Sequence, residues 1–191
     1  MLSIFRPALS LLVLMTLICG LIYPLIVTGV SQVVFPFEAH GSLITKDGKV
    51  VGSQLIGQPF SDASYFWSRP SATSPMPYNA QSSSGSNLGP SNPALIDGIK
   101  ARIEALKSAG PANTQAVPVD LVTSSASGLD PHISLAAAYY QVDRVAAARR
   151  LPVLQVRMLV DKYRELPWAY IMGEPRVNVL ALNMALRDLN P

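Results

Sequence analysis

The feature that most constrains this chain is an uncharged, mostly apolar run at residues 7–37. It lies between Arg6 and Glu38. Because about 20 helical residues cross the roughly 30 Å hydrocarbon layer of a membrane, the run is long enough for one transmembrane helix. Pro24 lies inside the run and removes one backbone hydrogen bond, which predicts a kink unless neighbouring groups compensate. We therefore predict a single membrane-spanning helix at residues 8–34.

A cleaved signal peptide is the main alternative to a retained membrane anchor. Such a peptide has an apolar core of about 7 to 15 residues, followed by small residues at the cleavage site. Residues 33–37 are bulky instead, and no small residue directly precedes Cys19, as a lipoprotein site would require. The positive N-terminus and Arg6 favour a cytoplasmic N-terminus, because basic residues accumulate on the cytoplasmic side of membrane helices. We therefore expect residues 1–7 in the cytoplasm and a domain at residues 35–191 outside it.

The composition of the chain excludes several classes of site. Its 15 basic and 12 acidic residues leave a net charge of +3, which is not the clustered basic excess of a nucleic-acid surface. The only cysteine, Cys19, lies in the apolar run, so the domain has no disulfide and no cysteine-based zinc or redox site. The two histidines, His40 and His132, are too few for a histidine-rich metal site. We expect no nucleic-acid partner and no bound metal.

Sequence motifs for nucleotide hydrolysis and ion conduction are also absent. The chain contains no G-x-x-x-x-G-K-[ST] phosphate loop and no G-x-G-x-x-G fingerprint, the loops that cradle nucleotide phosphates. It has no D-K-T-G phosphorylation motif and no T-V-G-Y-G potassium filter. We therefore expect that this chain alone neither hydrolyses ATP nor conducts ions.

Turn and helix signals predict an α+β fold: one N-terminal transmembrane helix and a single mixed α/β extracytoplasmic domain. Asp47-Gly48 between two β-prone runs predicts a hairpin. Ser91 or Asn92 is suited to cap a helix that ends at Gly110-Pro111. The other predicted elements are extended pieces at 52–60 and 65–71, a strand at 117–122, helices at 135–150 (capped by Ser134), 153–165 and 180–189, and short strands at 171–172 and 177–179.

Residues 71–92 are rich in serine, proline, glycine and asparagine, a composition typical of a flexible loop. The same segment contains polar side chains that can bond to their own backbone, which would produce an ordered binding loop instead. These side chains are Tyr78, Asn79, Asn87 and Asn92. The sequence leaves both alternatives open.

The segment at residues 124–132 combines hydroxyls, a carboxylate and an imidazole. Ser124 or Ser125, with Asp130 and His132, could form a nucleophile triad, so a membrane-anchored periplasmic hydrolase or binding protein is the alternative function. Triads are usually assembled from separated segments, whereas Asp-Pro-His is typical of a turn that leads into a helix. We therefore expect a structural or partner-binding turn here, and no catalytic residue in this chain.

Taken in order, a series of short motifs makes the chain resemble the KdpC family, the C subunit of the bacterial Kdp potassium-transporting P-type ATPase. With the number of the first residue, the motifs are RP at 6, GSLI at 41, SQLIGQ at 53, YF at 65, RPSAT at 69, MPYN at 76, GSNL at 85, SNP at 91, PVDLVT at 118, SGLD at 127, RVAAAR at 144 and VNV at 177. The resemblance spans nearly the whole chain. One departure is Ser84, where the family pattern leads us to expect a second glycine before Gly85.

The resemblance implies an accessory, non-catalytic subunit of a complex in the bacterial inner membrane, with its main domain in the periplasm. The implied partners are a potassium channel-like subunit, a P-type pump subunit and a further small membrane peptide. The resemblance also implies a catalytic chaperone that raises the affinity of the pump for ATP. We expect this chain to bind no cofactor alone, and ATP only together with the pump subunit. The candidates for any nucleotide contact are Ser124, Ser125, Ser127 and Gly128, through backbone N–H groups in a turn.

Small and hydroxyl residues of the helix, and polar or aromatic residues of the domain, are the candidates for partner contacts. They are Gly20, Thr28 and Gly29 in the helix, and Tyr65, Arg69, Tyr78, Asn79, Asn87 and Asn92 in the domain. We expect the domain to cover the transporter near the potassium entrance through residues 65–92. Four acidic residues could weakly raise the local cation concentration, namely Glu38, Asp47, Asp62 and Asp130.

Overall fold

The computed structural model of the protein describes residues 2–110, 112–167 and 172–189. Two compact units are present, Met1–Val51 and Gly52–Pro191.

A long apolar helix dominates the first unit. It comprises α1 (Leu2–Leu17), one π turn (Ile18–Ile22) and α2 (Tyr23–Val34). The stretch Ile4–Val34 has 31 residues, reaches a mean hydropathy of 2.5, and contains no buried residue. This length and composition suffice to cross a membrane. The described residues contain one such helix, as predicted.

Pro24 changes the helix by widening the turn that precedes it. A proline has no N–H to donate to the carbonyl four residues earlier, and its ring crowds that carbonyl. In the π turn the Tyr23 N–H donates to the carbonyl of Ile18, five residues earlier. The helix therefore continues past the proline with one wider turn.

A short helix, α3 (Pro36–Ala39), and a two-stranded hairpin follow. Strands β1 (Leu43–Lys46) and β2 (Lys49–Ser53) pair on either side of Asp47 and Gly48. These two turn residues have φ angles of 53° and 72°, and a type I′ turn requires positive φ at both positions. The hairpin predicted at Asp47-Gly48 is confirmed.

The second unit combines helices with a three-stranded antiparallel sheet, as the α+β prediction requires. Its elements are α4 (Pro93–Ala109), β3 (His132–Ser134), α5 (Leu135–Arg149), α6 (Val153–Lys162), β4 (Arg164–Glu165), β5 (Arg176–Asn178) and α7 (Val179–Leu189). The strand order is β3-β5-β4, with Ile133 opposite Val177 and Arg164 opposite Val177 on the other side. Helix α5 packs on α6 and the sheet, and α7 packs on α6 and β5.

The core of this unit is formed by apolar side chains from these elements and from the segment before α4. Full burial of one such side chain is worth about 1.5–3 kcal/mol. Those at most 2% exposed include Phe66, Leu121, Ile133, Val145, Val156, Val177, Leu182 and Leu186.

Both predicted helix caps are present. The Asn92 side chain accepts the Ala94 N–H at 2.9 Å at the start of α4, and Gly110 ends that helix. The Ser134 hydroxyl accepts the Ala137 N–H at 3.0 Å at the start of α5. Each cap satisfies an N–H group that the first helical turn cannot pair.

The strand predicted at residues 117–122 is wrong, because Val119–Leu121 form a 3₁₀ turn. Its N–H groups donate back to the carbonyls of Pro118 and Val119 and are therefore not available to a neighbouring strand. The turn directs Asp120 towards the start of α5, where its carboxylate accepts the Ser134 N–H at 2.7 Å and the Ser134 hydroxyl at 3.2 Å.

Two short strands were not predicted. Strand β3 begins at His132, the last residue of the segment interpreted as a turn, and β4 follows α6, which ends at Lys162 and not at residue 165 as predicted. Elements of two or three residues are too short to show an alternating pattern.

The boundary between strand and helix near residue 179 is also earlier than predicted, since Val179 begins α7. Met172 forms an isolated bridge, and Ile171 lies outside the described residues.

Candidate functional site

Residues 62–69 form the central segment of the second unit, and side chains supply much of its backbone hydrogen bonding. Asn183 of α7 accepts the Phe66 N–H at 2.9 Å and donates to the Phe66 carbonyl at 2.9 Å. Gln141 of α5 bonds to Trp67 in the same way, at 2.7 and 3.2 Å. Each side-chain amide thus pairs with one N–H and one carbonyl of the segment, as the backbone of a residue in a neighbouring β-strand would do. The predicted extended backbone here is thus paired with helices.

Three arginines bind carbonyl groups of the same central segment. Arg144 donates to Ala63 and Tyr65, Arg149 to Ser64, and Arg102 to Ser68. Arg102 and Arg144 also lie over the Trp67 ring, 5.3 and 4.7 Å from its centre. Burial lowers the pKa of Arg144 to about 10, so this side chain remains charged at neutral pH. The ring of Tyr65, a predicted partner contact, is covered by Arg149 at 4.7 Å.

The beginning of the loop at residues 71–92 is held by hydroxyl and amide side chains. The Ser71 hydroxyl accepts the Tyr78 N–H at 2.9 Å and donates to the Gly128 carbonyl at 2.7 Å. The Thr73 hydroxyl accepts the Asn79 N–H at 3.0 Å. Of the two alternatives, the structure therefore favours the ordered loop.

The residues predicted as partner contacts differ in their availability. Asn79 is 7% exposed and donates to the Ser74 carbonyl, while the Tyr78 hydroxyl donates to the Arg69 carbonyl at 2.6 Å. Asn92 caps α4, and Asn87, at a positive φ of 52°, is exposed. In the membrane helix the candidates Gly20, Thr28 and Gly29 are all exposed.

The serine-rich segment suggested for nucleotide contact uses several polar groups internally. The Gly128 N–H donates to the Ser125 carbonyl at 3.4 Å, and the next N–H donates to the Ser127 hydroxyl at 3.1 Å. The Ser124 carbonyl accepts from Arg69 at 3.4 Å. Two of the N–H groups that an anion would need are thus already bonded.

His132 lies between two ion pairs, Arg69–Asp130 and Glu165–Arg176, in a row of side chains that we call the charge row. Its Nδ1 is 3.4 Å from Asp130 Oδ1, and its Nε2 is 3.4 Å from Glu165 Oε2. Arg69 pairs with Asp130 at 3.2 Å, and Arg176 pairs with Glu165 at 3.0 Å. Because both ring nitrogens face carboxylates, the imidazole is not placed to activate a serine. The geometry favours the structural interpretation of this turn over the hydrolase alternative.

The charge row borders an open cleft of about 630 Å³. Arg69 and Arg176 contribute positive charge to its lining, and Asp120, Asp130 and Glu174 contribute negative charge. Such a mixture creates only a weak field on a passing cation. Within the described residues, no three His, Cys, Asp or Glu side chains are placed to hold a metal ion.

Asp130 makes the stability of the second unit depend on pH in the acidic range. Burial alone would raise the pKa of Asp130, but hydrogen bonds from the His132 side chain and N–H, together with Arg69, outweigh it and hold this pKa below its ordinary 3.8. A carboxyl whose pKa is lower in the folded than in the unfolded state stabilises the fold at every pH above its unfolded pKa. That stabilisation is lost as the pH falls through the pKa of the folded state.

We therefore expect the free energy of unfolding to fall below about pH 4, and Asp130→Asn to reduce this fall. Urea unfolding of the detergent-solubilised chain between about pH 3 and 6 measures the effect. Asp97→Asn, which removes an exposed carboxylate of α4, is the control. Equal acid dependence in the wild type and Asp130→Asn would contradict the assignment.

Several residues of this arrangement were not singled out from the sequence, among them Gln141, Asn183, Glu165 and Arg102. Gln141 and Asn183 lie in helices far along the chain from the backbone groups of Trp67 and Phe66 that they bind. The Phe66–Asn183 pair, for example, is separated by 117 residues. No local pattern marks a contact over such a distance, and the glutamine and asparagine look like ordinary helix residues.

Comparison with known proteins agrees with the motif resemblance. The sequence model of the family described as "KdpC: K+-transporting ATPase, c chain" matches residues 5–188. Proteins described as the potassium-transporting ATPase KdpC subunit are 61% identical over 189 residues in Polaromonas naphthalenivorans (99% of this chain, 96% of the relative) and 62% identical over 188 residues in Dechloromonas aromatica (98% of each). The Methylococcus capsulatus relative is 60% identical over 189 residues, 99% of this chain and 100% of the relative. The chain therefore belongs to the KdpC family.

Proposed function

We propose that this chain is an accessory, non-catalytic subunit of an ATP-driven potassium uptake complex in the bacterial inner membrane, needed for assembly and stability. Its proposed partners are a potassium channel-like subunit, a P-type pump subunit and a small membrane peptide. The observation that carries the proposal is the apolar helix Ile4–Val34, none of which is buried within its own chain. Such a helix is stable only in lipid or against the helices of other subunits.

The proposed orientation has the N-terminus in the cytoplasm and residues 35–191 in the periplasm. Arg6 on one side of the helix and Glu38 on the other support it. Alkaline phosphatase fused after residue 191 would be active in this orientation, and an inactive fusion would contradict it.

The π turn supports a proposed packing face that includes Gly20 and Thr28. Thr16, Gly20, Pro24 and Thr28 are spaced by four residues, and in a regular α-helix such a series drifts by roughly 40° at each step. A wider turn in the middle reduces this drift. A β-carbon at Gly20 would lie 4.0 Å from Thr16 Cγ2, so these two residues share one face. Small side chains there allow close approach of a partner helix.

Gly29 follows Thr28 directly and therefore faces a different direction. Nothing lies within 4 Å of a β-carbon placed on Gly29, so this residue is open for a second helix contact. We infer that Gly20 and Thr28 contact one partner helix and that Gly29 contacts another.

Purification of the complex through this chain tests the proposed function. With wild-type chain we expect the channel-like and pump subunits to co-purify, and deletion of the chain to lower potassium-dependent ATP hydrolysis. Gly20→Leu should reduce the recovered partners about tenfold, equivalent to about 1.4 kcal/mol of lost association. Cys19→Leu places the same leucine side chain on a neighbouring, exposed face of the helix and is the control. Full recovery of both partners with Gly20→Leu would contradict the packing face.

The proposed chaperone effect on ATP binding is indirect. A helix that packs differently on two states of the transport subunits shifts their equilibrium without touching nucleotide. The internal bonds of Ser125, Ser127 and Gly128 support this form of the proposal. Photoreactive ATP should label the pump subunit of the complex, and labelling of this chain would contradict an indirect effect.

A further inference from the structure

Arg69 also lines a second, smaller cleft, and the other residues of the charge row are not among the described residues that line it. Its volume is about 270 Å³, and its lining includes Arg69, Arg102, Ser61, Phe60 and Tyr78. Among the described residues that line it, none is acidic. Two guanidinium groups thus face one small cleft whose own walls carry no negative charge.

Arg102 is bonded only to neutral groups in the described parts of the chain. Its Nε donates to the Leu121 carbonyl at 3.2 Å, and its Nη2 donates to the Ser68 carbonyl at 3.2 Å. Its guanidinium lies 5.3 Å from the centre of the Trp67 ring. Nη1 has no hydrogen-bond acceptor among these residues. Burial lowers the pKa of Arg102, because a half-buried charge without a counter-ion loses part of its hydration.

Unlike Arg102, Arg69 has a counter-ion, because its Nη1 lies 3.2 Å from Asp130 Oδ2. With Asp130 counted, the surroundings of the cleft still carry one unbalanced positive charge, that of Arg102. Guanidinium groups form their strongest hydrogen bonds with oxyanions. The exposed Ser61 hydroxyl on the same lining can add a second donor.

We propose that this cleft binds a small oxyanion, a phosphate or a carboxylate, through Nη1 of Arg102 and the hydroxyl of Ser61. The volume lies below the roughly 300–1,000 Å³ of sites for drug-sized ligands, so the occupant is a small anion or the charged end of a larger molecule. Inorganic phosphate in solution and the phosphate of an anionic lipid share this chemistry. The site is independent of the proposed role in potassium uptake.

Thermal unfolding of the full chain in a non-ionic detergent tests the site. About 10 mM sodium phosphate should raise the unfolding midpoint by roughly 3 °C over sodium chloride of equal ionic strength. Arg102→Gln should lose this rise. Arg187→Gln makes the same charge change on the exposed end of α7 and should keep it. The site is refuted if phosphate acts no better than chloride, or if Arg102→Gln responds like wild type.

A second variant keeps the test valid if Arg102→Gln does not fold. Ser61→Asp places a carboxylate on the lining beside the guanidinium and leaves Arg102 in place. It should raise the midpoint in chloride and abolish the phosphate response, whereas a full phosphate response in Ser61→Asp would overturn the proposal. The same measurement in nanodiscs distinguishes the two sources of the anion. If the lipid headgroup occupies the site, phosphate should raise the midpoint in phosphatidylcholine nanodiscs but not in phosphatidylglycerol nanodiscs. A rise in both lipids supports the free anion.

Discussion

Gln141→Ala is expected to lower the free energy of unfolding by about 3–5 kcal/mol. The Gln141 amide is 1% exposed, and it bonds both the N–H and the carbonyl of Trp67 and also accepts from Arg144 at 2.7 Å. Alanine would leave the N–H and the carbonyl of Trp67 unpaired in the core, and each buried group without a partner costs about 1–3 kcal/mol. Urea unfolding of the detergent-solubilised chain, followed by tryptophan fluorescence, measures the loss.

Gln155→Ala is the matched control for this prediction. It makes the same change in another helix, α6, at an exposed position, where substitutions usually change stability by less than about 0.5 kcal/mol. A loss for Gln141→Ala that is no larger than that of the control would show that the central segment does not depend on this amide.

Gly128→Ala is expected to destabilise the second unit by about 3 kcal/mol. Gly128 has a φ of +67°, and a β-carbon there would lie 2.5 Å from Thr73 Cγ2 and 2.7 Å from the Ser84 carbonyl oxygen. The left-handed backbone costs a non-glycine residue roughly 1–2 kcal/mol, and overpacking adds about 1–3 kcal/mol. Because the contacts come from the 71–92 loop, we also expect faster proteolysis of that loop in the variant.

Gly173→Ala separates the two causes. Gly173 has a φ of +102°, but nothing lies within 4 Å of a β-carbon built on it, so this variant carries the backbone strain alone. We expect Gly128→Ala to exceed it by about 2 kcal/mol in the same urea experiment. Equal losses for the two variants would rule out close packing between Gly128 and the loop.

Local signals predicted the elements whose determinants are close together in the chain. Ser91 or Asn92 marked the start of α4 and Ser134 that of α5, Asp47-Gly48 marked the hairpin, and the apolar run marked the membrane helix. In each case the capping or turn residue lies within a few positions of the backbone it stabilises. Elements of this kind are therefore readable from the sequence.

The candidate sites depended on pairs that no local pattern reveals. The charge row brings Asp130 and His132 together with Glu165, which belongs to a strand of only two residues. Arg102 and Arg69 line the same cleft although 33 positions separate them in the sequence. The polar residues of the loop were recognisable, but their roles were not. Asn79 and Tyr78 were predicted as partner contacts, and the structure shows them bonded within the second unit.

The dependence of Phe66 and Trp67 on amides from α7 and α5 bears on the order in which the second unit can form. A segment that lies early in the chain receives its hydrogen-bond partners from Asn183 and Gln141, which are synthesised much later. Contacts so distant in sequence form slowly, because a long loop must close first. The aromatic side chains of a growing chain therefore stay uncovered until Asn183 has emerged, and during this interval the subunit is exposed to aggregation and degradation.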